Sequence, residues 1–399
     1  MTMETQESSS VLIVGLNPAL QKRFILSPNT DLIPGDVHRA TSIQQGVGGK
    51  GQDVLITLSC LSPTHNDDDS ETMKIAISQF IGSGPEGDNV LQLLHDQINF
   101  DERFTIRTKS PIRTCTTIVA TDHSTELVEP SGIVEPEELE ALLSSVEEQA
   151  QTNSLCIMGS MPPGCPSDTY ASILKRMIST TSNPIFCLID SVIGLNELLE
   201  ELATGKASSQ SSKVSSVLKV NIAELCKLGG QPIEGMDENE KEKLSNIVKG
   251  FFSTYPNAES ALDYIAITAG KDPAYVVQLE SDGNEKSIHF WKLNIPNLAQ
   301  LYPNNTLYPI GAGDSVASGT LAAWLELACS DSPTLLDTSL QSALSAKKES
   351  FGDDFDSFIH AFAFGLVCGS ASCLQEQNSV LKKEDLKKLF MSSSKPSKL

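Results

Sequence analysis

The chain has 399 residues, a hydrophobic fraction of 40% and a formal net charge of −22, with a mean hydropathy of −0.10. That length holds one large α/β domain or two smaller ones, and the composition is that of a soluble globular protein with a sizeable core. No run approaches the roughly 18 apolar residues of a membrane helix, and an acidic chain without a Lys/Arg cluster repels nucleic-acid phosphates, so no membrane and no nucleic acid is expected as a partner.

The first ten residues are polar and acidic and read as a flexible tail. They have neither the basic and apolar parts of a secretory signal nor the Arg-rich face of a transit peptide. Residues 11–390 read as one domain. Largely apolar runs of strand length at 11–14, 74–81, 155–158, 185–189, 217–220 and 264–268 alternate with helix-period stretches at Lys50–Leu61, 135–149, 168–178 and 238–252. That alternation predicts a mostly parallel sheet covered by helices on both faces. Ligands bind beyond the strand C-termini of such sheets, and Asn17, Gly159, Asp190, Asn221 and Gly270 fall there. Segments 24–26 and 112–121 mix apolar with polar residues. They predict a small second sheet, a lid drawn from about 20–45 and 105–130. Polar segments at about 64–72, 203–216 and 330–356 read as surface insertions in loop form.

Residues 391–399 read as a flexible tail. It ends in Ser397-Lys398-Leu399, a tripeptide read as a peroxisomal address. A peroxisomal import receptor is therefore an expected partner, with a cytoplasmic location as the alternative. The nine cysteines are odd in number and form no C-x-x-C, and the six histidines are scattered. Free thiols in a reducing compartment are expected, and no transition-metal site.

Ile310 to Ser315 read I-G-A-G-D-S, followed by a helix-compatible apolar pattern. A tight turn at a helix N-terminus presents backbone N–H groups at the positive end of the dipole and binds anions, phosphate above all. Asp314 stands where a carboxylate could take a proton from an attacking hydroxyl. An anion hole beside a general base is the minimum for phosphoryl transfer to an alcohol. Earlier in the chain, Gly48-Gly49-Lys50-Gly51 combines closely spaced glycines, which let a ligand approach the backbone, with one cation.

With Asn17-Pro18-Ala19-Leu20, Gly159-Ser160-Met161-Pro162-Pro163-Gly164, Lys219-Val220-Asn221 plus Glu224, and Gly311-Ala312-Gly313-Asp314, these motifs make the chain resemble the ribokinase-like sugar kinases of the PfkB group. The resemblance runs from about residue 11 to about 375. It implies a three-layer α/β/α sandwich with a mostly parallel central sheet and a small β-sheet lid. It implies an ATP-dependent carbohydrate kinase using ATP and Mg²⁺, with a homodimer through the lid allowed. Asp314 would be the base, and the Gly311, Ala312 and Gly313 amides would hold the transferring phosphoryl. Asn221 and Glu224 would act around the nucleotide phosphates, with Glu224 toward the Mg²⁺. Lys219, Thr268 and Gly270 would line the ATP side.

The closest branch acts on phosphorylated sugars, as 1-phosphofructokinase and tagatose-6-phosphate kinase do. There Asn17, Gln21, Gly48, Gly49, Lys50, Asp53, Arg113 and Glu129 would bind the substrate, with Arg113 gripping its phosphate. The expected acceptor is a ketohexose phosphate such as fructose 1-phosphate, fructose 6-phosphate or tagatose 6-phosphate. Three positions depart from the branch: Gln21 replaces Asp, Asp53 replaces Asn and Pro273 replaces Gly. They keep two alternatives open, a kinase of an unphosphorylated sugar or polyol and a catalytically inactive relative with a regulatory or interaction role. A dinucleotide-binding module is disfavoured, because no G-x-G-x-x-G follows the first strand.

Overall fold

Val11 and Ile13 pack into one hydrophobic core, Leu12 and Val14 into another. Successive side chains of a strand point to opposite faces, so a strand apolar at every position must be covered on both sides. The computed structural model describes residues 9–399 apart from 28–29, 64–73, 121–123, 150–151, 153, 181–183, 208–213, 233–238, 283–284, 329–334 and 351–354. Its strands are β1 (Ser9–Val14), β2 (Ala19–Ile25), β3 (Ser42–Gly48), β4 (Lys74–Ser83), β5 (Thr105–Pro111), β6 (Arg113–Val119), β7 (Ser124–Val128), β8 (Ser154–Met158), β9 (Ile185–Asp190), β10 (Val214–Asn221), β11 (Tyr264–Ala269), β12 (Asp272–Asp282), β13 (Glu285–Leu293) and β14 (Ser397–Lys398). Its helices are α1 (Lys50–Leu61), α2 (Pro85–His95), α3 (Pro136–Gln149), α4 (Thr169–Thr180), α5 (Leu195–Ala207), α6 (Ile222–Leu228), α7 (Glu240–Thr254), α8 (Ala258–Ala261), α9 (Leu298–Leu301), α10 (Ala312–Ala328), α11 (Thr338–Glu349), α12 (Ser357–Ser372) and α13 (Lys383–Ser392).

The main sheet has ten strands in the order β14-β13-β12-β11-β10-β9-β8-β1-β4-β5. From β5 to β11 every pair is parallel, while β12, β13 and β14 close that edge antiparallel. Helices α1, α2 and α10 to α13 cover one face, and α3 to α8 the other. This is the expected three-layer α/β/α sandwich. A separate sheet ordered β3-β2-β6-β7 forms the smaller second layer, with β2 and β6 parallel at its centre.

Two segments expected as loops carry regular structure. Within 330–356, Thr338–Glu349 is helix α11, started by Asp337, whose side chain accepts from Leu340 N at 2.9 Å. One buried stripe of Leu340, Ala343 and Leu344 suffices to dock a helix whose other faces are polar. Within 203–216, α5 continues to Ala207 and β10 begins at Val214. The insertion expected at 64–72 lies outside the described residues. The C-terminal tail also differs from expectation. Ser397 and Lys398 pair with Lys292 and Trp291, Leu399 N donates to Phe290 O at 2.8 Å, and Lys241 Nζ donates to Leu399 O at 2.8 Å. An open sheet edge offers unpaired backbone groups, and this short segment satisfies them.

Helix α10, which begins in the G-A-G-D turn, is buried from Ser315 to Leu325 and runs closely against α12. The contact depends on Gly365, where a Cβ would overlap Thr320 Oγ1 and the Val316 carbonyl. Gly365→Ala is therefore expected to cost about 1–3 kcal/mol through overpacking, read as a lower denaturation midpoint in urea. An unchanged midpoint would show that the two helices can part without loss.

Candidate active site

Because β1, β8, β9, β10 and β11 run parallel, their C-terminal ends share one rim of the sheet, and the functional residues collect there. Asp190 ends the wholly buried strand β9. Lys219 lies near the end of β10 and is 4% exposed. In register it stands one step beyond the Leu218–Ile189 pair, which brings it beside Asp190. Lys219 Nζ donates to Asp190 Oδ2 at 2.6 Å, and Lys50 Nζ donates to Asp190 Oδ1 at 2.7 Å. One carboxylate thus bridges two ammonium groups. Burial pushes Asp190 up, but the two lysines outweigh it and hold its carboxyl below the ordinary range. Burial likewise pulls Lys50 down, and Asp190 more than reverses this, so its ammonium is held above the usual lysine value.

Lys50 is the first residue of α1, and its stem lies across Gly159. The turn Gly311-Ala312-Gly313 opens α10. Gly311 has φ +80, a conformation that favours glycine. The Ala312 N–H turns back to Pro309 O at 3.2 Å, which leaves the Gly313 and Asp314 amides of the first turn without an intrahelical acceptor. Asp314 follows in that turn and is half-buried. Burial pushes its carboxyl up to about 7, the negative Asp190 adds to the shift, and Lys50 and Lys219 only partly offset it. A carboxyl poised near neutral pH suits a general base.

Two cavities lie here, and only the second is lined by residues of this turn. The first, 320 Å³, is lined by Asn17, Lys50, Arg113, Asp190, Lys219 and Glu224, with Gly159 and Ile193 among their neighbours. The second, 830 Å³, is lined by Thr268, Gly270, Leu298, Gly313, Val316 and Cys373, among others, and is mostly apolar. Lys219 joins them, since a Cβ on Gly313 would lie 3.8 Å from its Nζ.

The expected residues are thus largely brought together, but several already have partners. Arg113 donates to Asn17 O at 2.8 Å and Pro18 O at 3.4 Å. Asn17 bonds Ser160 and Ser131 through its amide. Asn221 and Glu224 form a reciprocal capping box at the start of α6. Gly48 and Gly49 lead into α1. Glu129 accepts from Thr114 N at 2.8 Å and so closes the lid strands rather than lining the first cavity. Gln21 faces a smaller space beside Arg23 and Asn378. Asp53 lies beneath the lid, outside the lining of both cavities.

Sequence reading placed Asp190 at the ligand-binding ends of the strands but gave it no role in the site. It also missed Arg23, Asn378 and Ser379. Arg23 donates to Glu376 O and Asn378 Oδ1, and Asn378 donates to Gln21 at 2.8 Å. Nothing local marks these residues, because Arg23 lies on the lid strand β2 and the chain leaving α12 brings Asn378 and Ser379 to it across the whole domain.

Two cavities approached by one buried lysine at the C-terminal rim of a parallel sheet suit a group-transfer enzyme. The family model described as pfkB family carbohydrate kinase matches residues 22–379, and the chain belongs to that family; it is an ATP-dependent carbohydrate kinase. Among solved structures, phosphofructokinase-2 from Escherichia coli in complex with potassium is 18% identical, with a TM-score of 0.64 over 96% of this chain and 98% of that one. A possible 1-phosphofructokinase from Thermotoga maritima is 15% identical, with a TM-score of 0.62 over 98% and 99%. Ribokinase from Giardia lamblia is 14% identical, with a TM-score of 0.63 over 96% and 98%. At such identities the likeness speaks to the fold alone.

Removing the bridging carboxylate leaves a buried ammonium unpaired. Asp190→Asn is therefore expected to cost about 3–5 kcal/mol of stability, measured by chemical denaturation. A loss below about 1 kcal/mol would show that water already solvates Lys219.

Proposed function

We propose that this kinase transfers the γ-phosphoryl group of ATP to a hydroxyl of a ketohexose phosphate, with fructose 1-phosphate, fructose 6-phosphate and tagatose 6-phosphate as the leading acceptors. The observation that carries the reading is the Lys50–Asp190–Lys219 bridge near Asp314, whose Lys219 lines the smaller cavity and stands beside Gly313 of the larger one. The 830 Å³ cavity has the volume and apolar lining for a nucleotide. The smaller cavity collects Lys50 and Arg113, two cations that suit an acceptor already carrying a phosphate.

In this scheme Asp314 takes the proton of the acceptor hydroxyl as its oxygen forms a bond to the γ-phosphorus, and the bond to the oxygen retained by ADP breaks. Lys219 and the Gly313 and Asp314 amides of the G-A-G-D turn meet the charge on the transferring group, while the Ala312 amide expected in that role is taken by Pro309 O. Asp190 keeps the two lysines aimed without moving itself. Bound Mg²⁺ would supply charge neutralisation on the nucleotide phosphates. Glu224 with Asn221 fits such an ion, since Mg²⁺ is usually held by one or two carboxylates, water and substrate phosphates. No cluster of three His, Cys, Asp or Glu able to cage a metal occurs among the described residues.

One observation favours the second reading, an unphosphorylated sugar or polyol as acceptor. Part of the Arg113 guanidinium already serves backbone carbonyls of the Asn17-Pro18 turn.

Two kinds of assay test these readings. ADP release would be followed with Mg-ATP against the three ketohexose phosphates and against fructose, ribose and inositol. One phosphosugar should turn over, kcat/KM should rise with pH through about 7 as Asp314 ionises, and Asp314→Ala should lose about 10³-fold or more. Arg113→Ala should cripple turnover of a phosphosugar, whereas little change would favour a free sugar. Turnover that survives in Asp314→Ala would discard the assigned base.

The peroxisomal location is part of the same proposal. Because Ser397 and Lys398 pair with β13, the tripeptide must leave that edge to be read by a receptor. A fluorescent reporter carrying the last dozen residues should collect in peroxisomes, and a diffuse signal would withdraw the assignment.

A further inference from the structure

Ser379 holds a backbone conformation that its residue type does not favour. Among the described residues, Asn239 and Ser379 are the ones other than glycine with positive φ. Asn239 is exposed, and asparagine tolerates this region. Ser379 is fully buried with φ +58, where glycine would be the ordinary choice. What serine has and glycine lacks is a hydroxyl. That hydroxyl donates to Gly311 O at 3.2 Å, in the turn that opens α10. The approach is close, since a Cβ on Gly311 would overlap Ser379 Oγ.

The same residue is bound a second time, through its carbonyl. Thr57 Oγ1, on α1, lies 2.7 Å from Ser379 O and 3.0 Å from Ser315 Oγ. A carbonyl only accepts, so the single proton of Thr57 goes to Ser379 O, and Ser315 Oγ must donate to Thr57. Ser315 N donates to Gly311 O at 2.9 Å. These bonds close a ring that runs from Ser379 through Gly311, Ser315 and Thr57 back to Ser379. Thr57, Ser315 and Ser379 are all fully buried, so water does not compete for the ring. Gly311 and Ser315 bracket the Gly313 and Asp314 amides, and Thr57 lies about two turns along α1 from Lys50.

We propose that Ser379 is a positioning residue. Through this ring it fixes the G-A-G-D turn against α1, so that the Gly313 and Asp314 amides and the Asp314 carboxyl keep their places relative to Lys50. Ser379 lines neither cavity and acts only through the turn. It is held in its own place from the lid side, where Asn378 donates to Gln21 at 2.8 Å and Arg23 donates to Glu376 O and Asn378 Oδ1. Donor groups accelerate a reaction only when they stand where charge develops, and a small displacement costs rate more than binding. The nucleotide has the rest of the 830 Å³ cavity to bind to, so loosening the turn should act on turnover.

The inference rests on the proposed reaction for its kinetics but not for the ring itself, and the test has an arm for each. Ser379→Gly removes the hydroxyl and suits the backbone, and Gly311 O keeps Ser315 N as a donor. Folding should therefore not suffer, and the urea midpoint should hold or rise. In the substrate-free protein, amide hydrogen exchange over residues 308–316 should nonetheless quicken about threefold or more in Ser379→Gly and in Thr57→Val. Thr57→Ser, which keeps the hydroxyl, should exchange as the wild type does. With Mg-ATP and the acceptor found by the substrate panel, kcat should fall about 10- to 100-fold in Ser379→Gly and Thr57→Val. KM for ATP should move less than about threefold, and Thr57→Ser should keep most of the wild-type kcat. Unchanged exchange in Ser379→Gly, an unchanged kcat, a loss carried by KM alone, or a Thr57→Ser variant as impaired as Thr57→Val would each overturn the proposal. Faster exchange with no turnover on any acceptor would support the hold on the turn and remove the substrate assignment instead.

Discussion

One buried carboxylate, Asp190, holds the working end of this molecule together. It sits at the end of a strand with no access to water and balances two ammonium groups delivered by different elements, Lys50 from the start of α1 and Lys219 from inside β10. Desolvation of a lone charge at this depth would cost several kcal/mol. The pairing turns that cost into an arrangement with few alternatives. Lys219 reaches the turn before α10, Lys50 reaches the smaller cavity, and both fall short of neutralising Asp314. The carboxyl of Asp314 is raised first by burial, and the same bridge that orders its neighbours then tunes it.

The sheet makes the bridge possible. Parallel strands bring their C-terminal ends to one rim, and the pairing of β9 with β10 sets Asp190 beside Lys219. One helical layer then places the N-termini of α1 and α10 over that rim. Close packing of α10 on α12 has a further consequence. The chain leaving α12 returns beneath the lid, where Asn378 and Ser379 meet Gln21, Arg23, Asp53 and Gly311. The lid, the anion turn and the end of the core helix therefore share one polar cluster.

Much of this was legible in advance where the physical signal is local. Residues 11–14, 185–189 and 264–267 are apolar at every position, and only strands buried on both faces require that. The G-A-G-D turn showed itself by composition, as did the helix at Lys50–Leu61. Less was legible where one stripe of apolar residues does the packing, as in α11, or where a short segment completes a sheet edge, as in β14. Glu129 and Asp53 show the same limit at the site. Their residue types fit a sugar pocket, yet one closes the lid strands and the other lies beneath them.

By itself the sequence determined which segments must be buried and which motifs the chain carries, because these depend on residue type and spacing over a few positions. The tertiary structure decided which charges neutralise one another and which carboxyls are pushed above their ordinary range. Charge state depends on burial and on neighbours from distant parts of the chain, and Asp190, Asp53 and Asp314 are identical as residues but differ in those surroundings.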